Sequence, residues 1–521
     1  MKQLRLFLAI AFFAAFQTKA QRYYSYQGPD VLKNTFLFTD RSFLINANQL
    51  EQKEVDSLLG VSPKKSGELE IKATPFSIVH QYNSRLPLGM NQSSAIPNVG
   101  LQQNYSFGVD VQWKKSLTVH IAPEYQFAEN LPYPRFPLTS TDWEQHYYYL
   151  NHIDIPERFG DQQINRWNLG QSFIQYHFKN WSAKVSTENK WWGPASFNPL
   201  ILGSNAPGFL HSSLSTIKPI RTPLGNVEAE LIGGILRNSG IDPPEQNRIS
   251  TWSGTSLYVP KKENDRYLVG LVYSLQPKWV PGMYLGFAKI RMSYQNEFFG
   301  ETSANMGSWF MRYAMPKEHA EIYFEYGRSD TDLNIGNIFQ SSPYGRGYTA
   351  GLKKGYSIGE TDQLILVGAE ITNLSLPEKE QVNYQPKSWY LDDYIRQGFT
   401  HKGRVLGAGI GPGSNAQTVY VQWMKKMNFV GLRFNRVIHN LDYYHSTKYY
   451  QTDHFNQYWA SLNAAIYLNW HYKQLSLSGE VSWQRDYNYN WEWIRYTWVG
   501  FENIGGDEVN YGAKLLIQYR F

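Results

Sequence analysis

The sequence predicts an all-β protein, a transmembrane antiparallel β-barrel of about 16 to 18 strands behind a short, partly helical N-terminal segment. Three observations carry this reading. The last thirteen residues alternate, with Val509, Tyr511, Ala513, Leu515, Ile517, Tyr519 and Phe521 on one parity and Asn510, Gly512, Lys514, Gln518 and Arg520 on the other, Leu516 being the exception. That is a strand for a tail, and no covering element follows it, so its apolar face is expected to meet lipid. Aromatic residues make up 16% of the chain while mean hydropathy is only −0.48. A barrel wall needs apolar side chains on one parity alone, and rings with a polar edge suit the level where hydrocarbon meets headgroup. Finally, tight strand pairs recur along the chain, separated by long polar connections.

Taken in order, Lys2 and Arg5 precede an apolar run from Leu6 to Phe16, and Thr18-Lys19-Ala20 offers small residues before Gln21. This is the layout of a secretory signal peptide over residues 1–20, too short to span a bilayer, which takes about 20 apolar residues. No later segment is long and apolar enough for a helical span. Cysteine is absent, so no disulfide framework is available to an exported chain. The formal charge of +6 includes Lys2, Arg5 and Lys19, and their removal leaves +3, too weak to argue for nucleic acid.

Residues 21–98 are the least regular and are expected in the periplasm or at the barrel mouth. Within them Asn46 to Leu59 reads as a short amphipathic helix stopped by Gly60. Residues 99–521 are the expected barrel. Ser106–Lys114 runs into Ser116–Phe127, and further pairs are Gly170–Phe178 with Trp181–Trp191, Tyr267–Leu275 with Met283–Tyr294, and Trp309–Met315 with Ala320–Tyr326. Thr418–Met424 with Phe429–Val437 and Trp459–Tyr472 with Leu475–Trp483 continue the series. Lys179-Asn180, Pro316-Lys317-Glu318 and Lys425–Asn428 are turn candidates on the periplasmic side, and the loops near 132–165, 240–263, 327–346, 376–416 and 485–508 are candidates for the cell surface. Alternation breaks in the apolar run Leu364–Val367.

Catalytic and metal patterns are sparse. There is no H-E-x-x-H and no phosphate loop. Gly355–Gly359 matches G-x-S-x-G around Ser357, but a strand-like Leu364–Val367 stands where the elbow's helix belongs, so the segment reads as a turn. Gly407–Gly413 is glycine-rich, yet Thr418–Met424 after it reads as a strand, which argues for a tight loop close to other backbone and against a dinucleotide site. His146 with His152, or His445 with His454, show no ligand spacing, and Asp392-Asp393 lies in a polar loop. No enzyme, cofactor or metal is expected.

Glu188-Asn189-Lys190-Trp191-Trp192-Gly193-Pro194, with Ser204-Asn205-Ala206-Pro207-Gly208-Phe209 behind it, sets a rigid aromatic surface beside amide groups. Sugar rings suit such a surface, because stacking covers the C–H face while Asn and Arg satisfy the hydroxyl edge. The competing reading places Trp191 and Trp192 in the interfacial girdle. Together with Tyr82–Gly89, Pro123–Asn130, Pro156–Gly160 and Gly398-Phe399-Thr400-His401-Lys402-Gly403-Arg404-Val405-Leu406-Gly407, these blocks resemble, in order, the capsule-assembly Wzi family in the form common among Bacteroidetes. The resemblance implies a monomeric outer-membrane barrel, of 18 strands, that holds capsular or related exopolysaccharide at the cell surface as a lectin does, with outer-membrane lipid as its other partner. Trp191, Trp192, Asn205, His401, Lys402 and Arg404 are then the candidate polysaccharide-binding residues. The N-terminal part departs from the enterobacterial members, where a multi-helix periplasmic bundle is expected. A porin-like diffusion channel is the alternative function, and an inward-folded Gly398–Gly413 would narrow its lumen.

Overall fold

A computed structural model describes residues 68–114, 116–136, 143–250, 253–297, 303–329, 345–359, 362–377, 388–448, 458–491, 494–497, 500–503 and 506–520. The expected signal peptide, the helix expected over Asn46–Leu59, His454 and Phe521 lie outside them. Among the described residues no helix is long and apolar enough to cross a membrane.

One antiparallel sheet of 23 strands makes the body. Five of its staves are broken in two by a bend. They are Leu69–Ala73 with Phe76–Asn83, Gly100–Ser106 with Val109–Trp113, Leu117–Ile121 with Glu124–Ala128, Ile164–Asn168 with Phe173–Phe178, and His211–Thr216 with Ile220–Thr222. The 23 strands therefore form 18 staves. The ladder comes full circle, because Phe76–Asn83 pairs with Gly100–Ser106 on one side and with the final strand Glu508–Tyr519 on the other, and that strand also pairs with Leu475–Tyr487. Each stave thus has a paired neighbour on both sides, although the segments Leu69–Ala73, Ile164–Asn168 and Ile220–Thr222 are paired on one side only.

The barrel begins earlier than the boundary at residue 99 drawn from sequence, since residues 69–83 supply the stave that closes the ring. Its pattern is masked because Val79 faces inward and His80 outward, and because Pro75, with no N–H to donate, forces a bend. The bend runs across four neighbouring staves, where Gly108 and Gly170 lie opposite Ala122-Pro123. A Cβ on Gly108 would stand 1.8 Å from the Ile121 carbonyl, so only glycine fits.

At one end the connections are short. Lys179-Asn180, Lys426-Met427 and Lys473-Gln474 are two-residue turns whose lysines take positive φ of 52°, 55° and 53°. Long connections occupy the other end, the asymmetry expected from sequence. Outward positions carry an aliphatic belt, including Val269, Leu271, Val421, Leu432 and Leu468, all exposed. Aromatic residues sit toward its margins, with Trp113, Tyr356, Tyr472 and Tyr519 near the short turns and Tyr82, Trp483 and Tyr511 near the long loops. An exposed apolar surface this extensive suits hydrocarbon and not water.

The inward face is polar over most of the ring but apolar over Gly225–Leu236, Arg266–Pro277, Met283–Tyr294 and Ala304–Met315, where Ile232, Leu268, Val272, Ile290, Met292 and Met306 are almost fully buried. Something must cover them, and the chain itself does. A second, smaller apolar patch of Leu366, Tyr420, Met424 and Phe429 explains the broken alternation at Leu364–Val367: Leu366 faces inward beside rings, so both parities are apolar there.

Candidate functional site

Three of the long connections fold into the lumen and form a plug: residues 84–99, 187–210 and 388–414. Trp181–Trp191 is therefore not one strand, because the strand stops at Ser186 and Thr187 onward turns inside. Likewise the loop near 376–416 is not free at the surface over 388–414, where Trp389, Tyr390, Ile395, Phe399, Val405 and Leu406 join the core with Leu200, Ile201 and Leu202. The plug meets the apolar stretch of wall, and burying large apolar side chains at about 1.5–3 kcal/mol each is the main force holding it there.

Polar locks fix its register. Glu370, on the wall strand Gln363–Asn373, accepts backbone N–H bonds from Ser196 (2.6 Å), Phe197 (3.1 Å) and Asn198 (2.9 Å), and the Tyr323 hydroxyl at 2.7 Å. Glu230 accepts from the Lys190 ammonium at 2.5 Å and the Trp192 indole at 3.1 Å. Arg404 clasps all three loops: its guanidinium donates to the carbonyls of Gly89, Ser93 and Ala95 on the first and to Asn205 Oδ1 (3.0 Å) on the second. Among the described residues no carboxylate bonds to this guanidinium, and burial pulls it down to about 9, so at neutral pH it keeps its charge.

Arg404 sits in a small hairpin, Thr400–His401 paired with Arg404–Val405, whose turn residues Lys402 and Gly403 have φ of 48° and 78°. Two successive positive φ values define the turn that matches strand twist. A Cβ on Gly403 would lie 2.8 Å from the Pro156 ring and 3.0 Å from Ser239. Gly403→Val is accordingly expected to destabilise the fold by roughly 1–3 kcal/mol, read as a lower unfolding temperature of the purified protein.

Of the six residues singled out from sequence, the structure separates two groups. Asn205 and Arg404 line a luminal cavity. Trp192 is 1% exposed within the core, out of reach of any sugar in this conformation. Trp191 is half-buried and donates to the Ala195 carbonyl at 3.1 Å. His401 is buried and accepts the Arg237 N–H on Nδ1 at 3.0 Å, and burial with the nearby cations Lys402, Arg266 and Arg237 holds it neutral, well below the usual imidazole range. Lys402 is half-buried at the hairpin tip, its ammonium pulled down by burial and by Arg166 and Arg237. Trp192 thus packs the plug instead of an external girdle, while Trp191 remains partly accessible.

The cavity has a volume of about 590 Å³. Its walls are Asn83, Arg433, Asn435, Asn463, Ser482, Gln484 and Lys514 from the staves and Asn91, Gln92, Asn205 and Arg404 from the plug. Toward the long-loop end it is roofed by rings. His439 stacks on Trp459 at 4.0 Å, and Trp459 meets Tyr489 at 4.8 Å and Trp491 at 5.3 Å. Tyr443 lies 4.6 Å from Trp491. Two short helices, α1 (Trp143–Leu150) and α2 (Leu441–Lys448), brace this roof through Phe136, Trp143, Tyr147, Tyr258 and Tyr443.

Sequence reasoning missed the walls, because inward polar positions on staves hundreds of residues apart carry no local signal. Among the described residues no cluster of His, Asp and Glu could hold a metal ion. Instead His146 contacts Glu157 at 3.0 Å, and His152 meets the Tyr148 carbonyl at 2.6 Å. Gly355, Tyr356 and Ser357 do not form the turn expected from sequence but end the strand Arg346–Ser357, paired with Leu366, Ile365 and Leu364, and Gly407 lies so close to Leu200 and Tyr390 that a Cβ would stand 2.4 Å from the Tyr390 hydroxyl.

Residues 96–293 match the family model described as capsule assembly protein Wzi. This stretch is similar to the Wzi family. The fold agrees: a solved structure described as Wzi, an outer-membrane protein involved in group 1 capsule assembly in Escherichia coli and a carbohydrate-binding β-barrel, superposes with a TM-score of 0.57 at 11% identity, covering 94% of this chain and 97% of that one. A BenF-like porin from Pseudomonas fluorescens gives 0.40 at 10% identity over 87% of this chain and all of its own, and OccAB2 from Acinetobacter baumannii 0.43 at 11% over 88% and 99%. No curated protein sequence matches the chain. The matched stretch takes in the plug loop 187–210 with Trp191 and Trp192, but only the end of the loop 84–99 and none of 388–414.

Proposed function

We propose that the protein is a monomeric, non-enzymatic outer-membrane barrel, exported behind a cleaved signal peptide, that binds capsular or exopolysaccharide at the cell surface and assists capsule assembly or attachment. The observation that carries this is the plugged lumen with a polar, ring-roofed cavity on its long-loop side. Amide and hydroxyl groups match sugar hydroxyls, and rings match sugar C–H faces. The carbohydrate-binding barrel of the same fold supports the assignment, as does the capsule-assembly family whose model residues 96–293 match. A channel needs an open path, and the loops 187–210 and 388–414, packed into apolar wall, oppose one. Individual sugar contacts are weak, so retention of a polymer depends on their sum.

Deleting the gene tests the reading. Cells without the protein should release most of their surface polysaccharide into the medium while still synthesising it, and the intact gene should restore retention. Normal retention in the deletion strain would contradict the proposal.

A further inference from the structure

We infer that a notch in the barrel wall, on its long-loop side, holds the phosphate group of an outer-leaflet lipid, with Lys402, Arg166 and Arg237 as its cations. Such a site needs only an outer-membrane barrel and is independent of the polysaccharide reading.

The notch follows from where strands end. Trp181–Ser186 and His211–Thr216 stop at one level, since Ser186 pairs with His211, and the chain between them turns into the lumen. Their neighbours run on. On one side Ile164–Asn168 lies beyond Phe173, the partner of Ser186, and is paired only with Glu124–Ala128. On the other side Gly234, opposite His211, is followed by Ile235, Leu236 and Arg237. The wall therefore lacks two strands at this height.

The tip of the Thr400–Val405 hairpin enters the gap. Lys402 N–H donates to the Arg237 carbonyl at 2.8 Å, and Arg237 N–H donates to His401 Nδ1 at 3.0 Å, so the hairpin takes the place beside Arg237 that the strand beginning at His211 leaves empty. This brings the half-buried Lys402 close to two other cations, Arg166 on the one-sided strand and Arg237.

Counter-charge is short there. Arg166 donates to Gln126 Oε1 at 2.7 Å and to the Ser94 carbonyl at 3.0 Å, both neutral, while the acid near it, Glu124, accepts the Ser94 hydroxyl at 2.5 Å. Arg237 has a loose contact with Asp265 at 3.7 Å. Among the described residues the Lys402 ammonium meets neither an acid nor another acceptor. Three cations gathered in this way repel one another until an anion joins them.

The surroundings select a lipid as the source of that anion. Trp167 and Leu169 beside the gap, and Val185 and Leu210 toward the short turns, are exposed. Tyr105, Tyr125 and Trp167 form a row of outward rings leading to it, with centroids 6.4 and 5.2 Å apart, and such rings favour the headgroup level. A lipid lying on this wall sets its acyl chains on the apolar surface and its phosphate against the cations, whereas a soluble anion gains only the charge.

The test titrates the phosphorylated glycolipid extracted from the producing cell's outer membrane into the full-length protein in neutral detergent, with bound lipid counted by native mass spectrometry. The same lipid stripped of phosphate by hydrogen fluoride, inorganic phosphate, and acidic fragments of the surface polysaccharide are the comparisons. The stripped lipid should bind at least about tenfold more weakly than the intact one. Lys402→Asn, which tolerates the positive φ of 48° at this position, and Arg237→Gln should each weaken the intact lipid about fivefold, and Lys402→Arg should keep its binding. Equal binding of intact and stripped lipid, or unchanged affinity when Lys402→Asn and Arg237→Gln are combined, would overturn the inference; the two lipids on the unmodified protein decide even if a variant fails to fold. Inorganic phosphate or acidic fragments binding as tightly as the lipid would also overturn it and assign the notch to a soluble anion. Retention of polysaccharide by cells is a separate readout, so the lipid site can fail while the polysaccharide reading stands.

Discussion

Arg404→Ala is expected to loosen the plug as a unit and to lower stability by roughly 3–6 kcal/mol, taking charge-assisted bonds at about 1.5–3 kcal/mol each and counting two good ones. The guanidinium joins three loops that have no regular pairing with one another beyond isolated backbone bonds such as Gly203 N–H to the Leu406 carbonyl at 2.8 Å. Removing it leaves the Gly89 and Ala95 carbonyls and Asn205 Oδ1 short of a buried donor. The 18-stave ring does not depend on this contact, so the variant should still insert and migrate as a folded barrel. What should change is the lower temperature at which near-ultraviolet circular dichroism collapses, together with bursts of ion flow across bilayers as the loops open. Arg404→Lys should rescue little, because one ammonium cannot reach acceptors spread over a planar fork. An Arg404→Ala protein as stable and as silent as wild type would show that the clasp is ornamental.

Glu370→Ala should be comparably harmful by a different route. The carboxylate gathers the N–H groups of Ser196, Phe197 and Asn198 and the Tyr323 hydroxyl on one side chain. Without it three backbone donors lose their acceptor, at about 1–3 kcal/mol for each, and the expected loss is roughly 3–9 kcal/mol. Glu370→Gln keeps the acceptor oxygen and should cost much less. The order of unfolding temperatures should be wild type, Gln, then Ala. Equal losses for Gln and Ala would mean that charge, and not the cradle geometry, holds the loop.

The wall was legible in the sequence because lipid on one side and water or plug on the other impose a period of two, and because the turns need residues that tolerate positive φ, as at Lys179 and Lys426. Where the second face is also apolar the signal fades: Leu364–Val367 reads as a featureless run because Leu366 packs inward against Tyr420. The closing stave was hidden for a related reason, since Val79 and His80 reverse the usual parities and Pro75 interrupts the ladder. Inward loops have no period at all. The Trp191-Trp192 block and the hairpin around Arg404 stood out as unusual, but composition could not tell a ring that stacks on sugar from one that seals a lumen. Only burial decides, and it puts Trp192 in the core and Arg404 at the meeting of three loops. The cavity could not be read in advance, because Asn83, Arg433 and Lys514 converge only once the ring has closed.

The claim on which the rest depends is that the ring is closed and its interior filled, so that the protein holds polysaccharide and does not pass solutes. Conductance of the purified wild-type protein in planar bilayers tests this most directly. Insertion without steady current is the predicted result, and a large, stable, ohmic conductance per inserted molecule would contradict it.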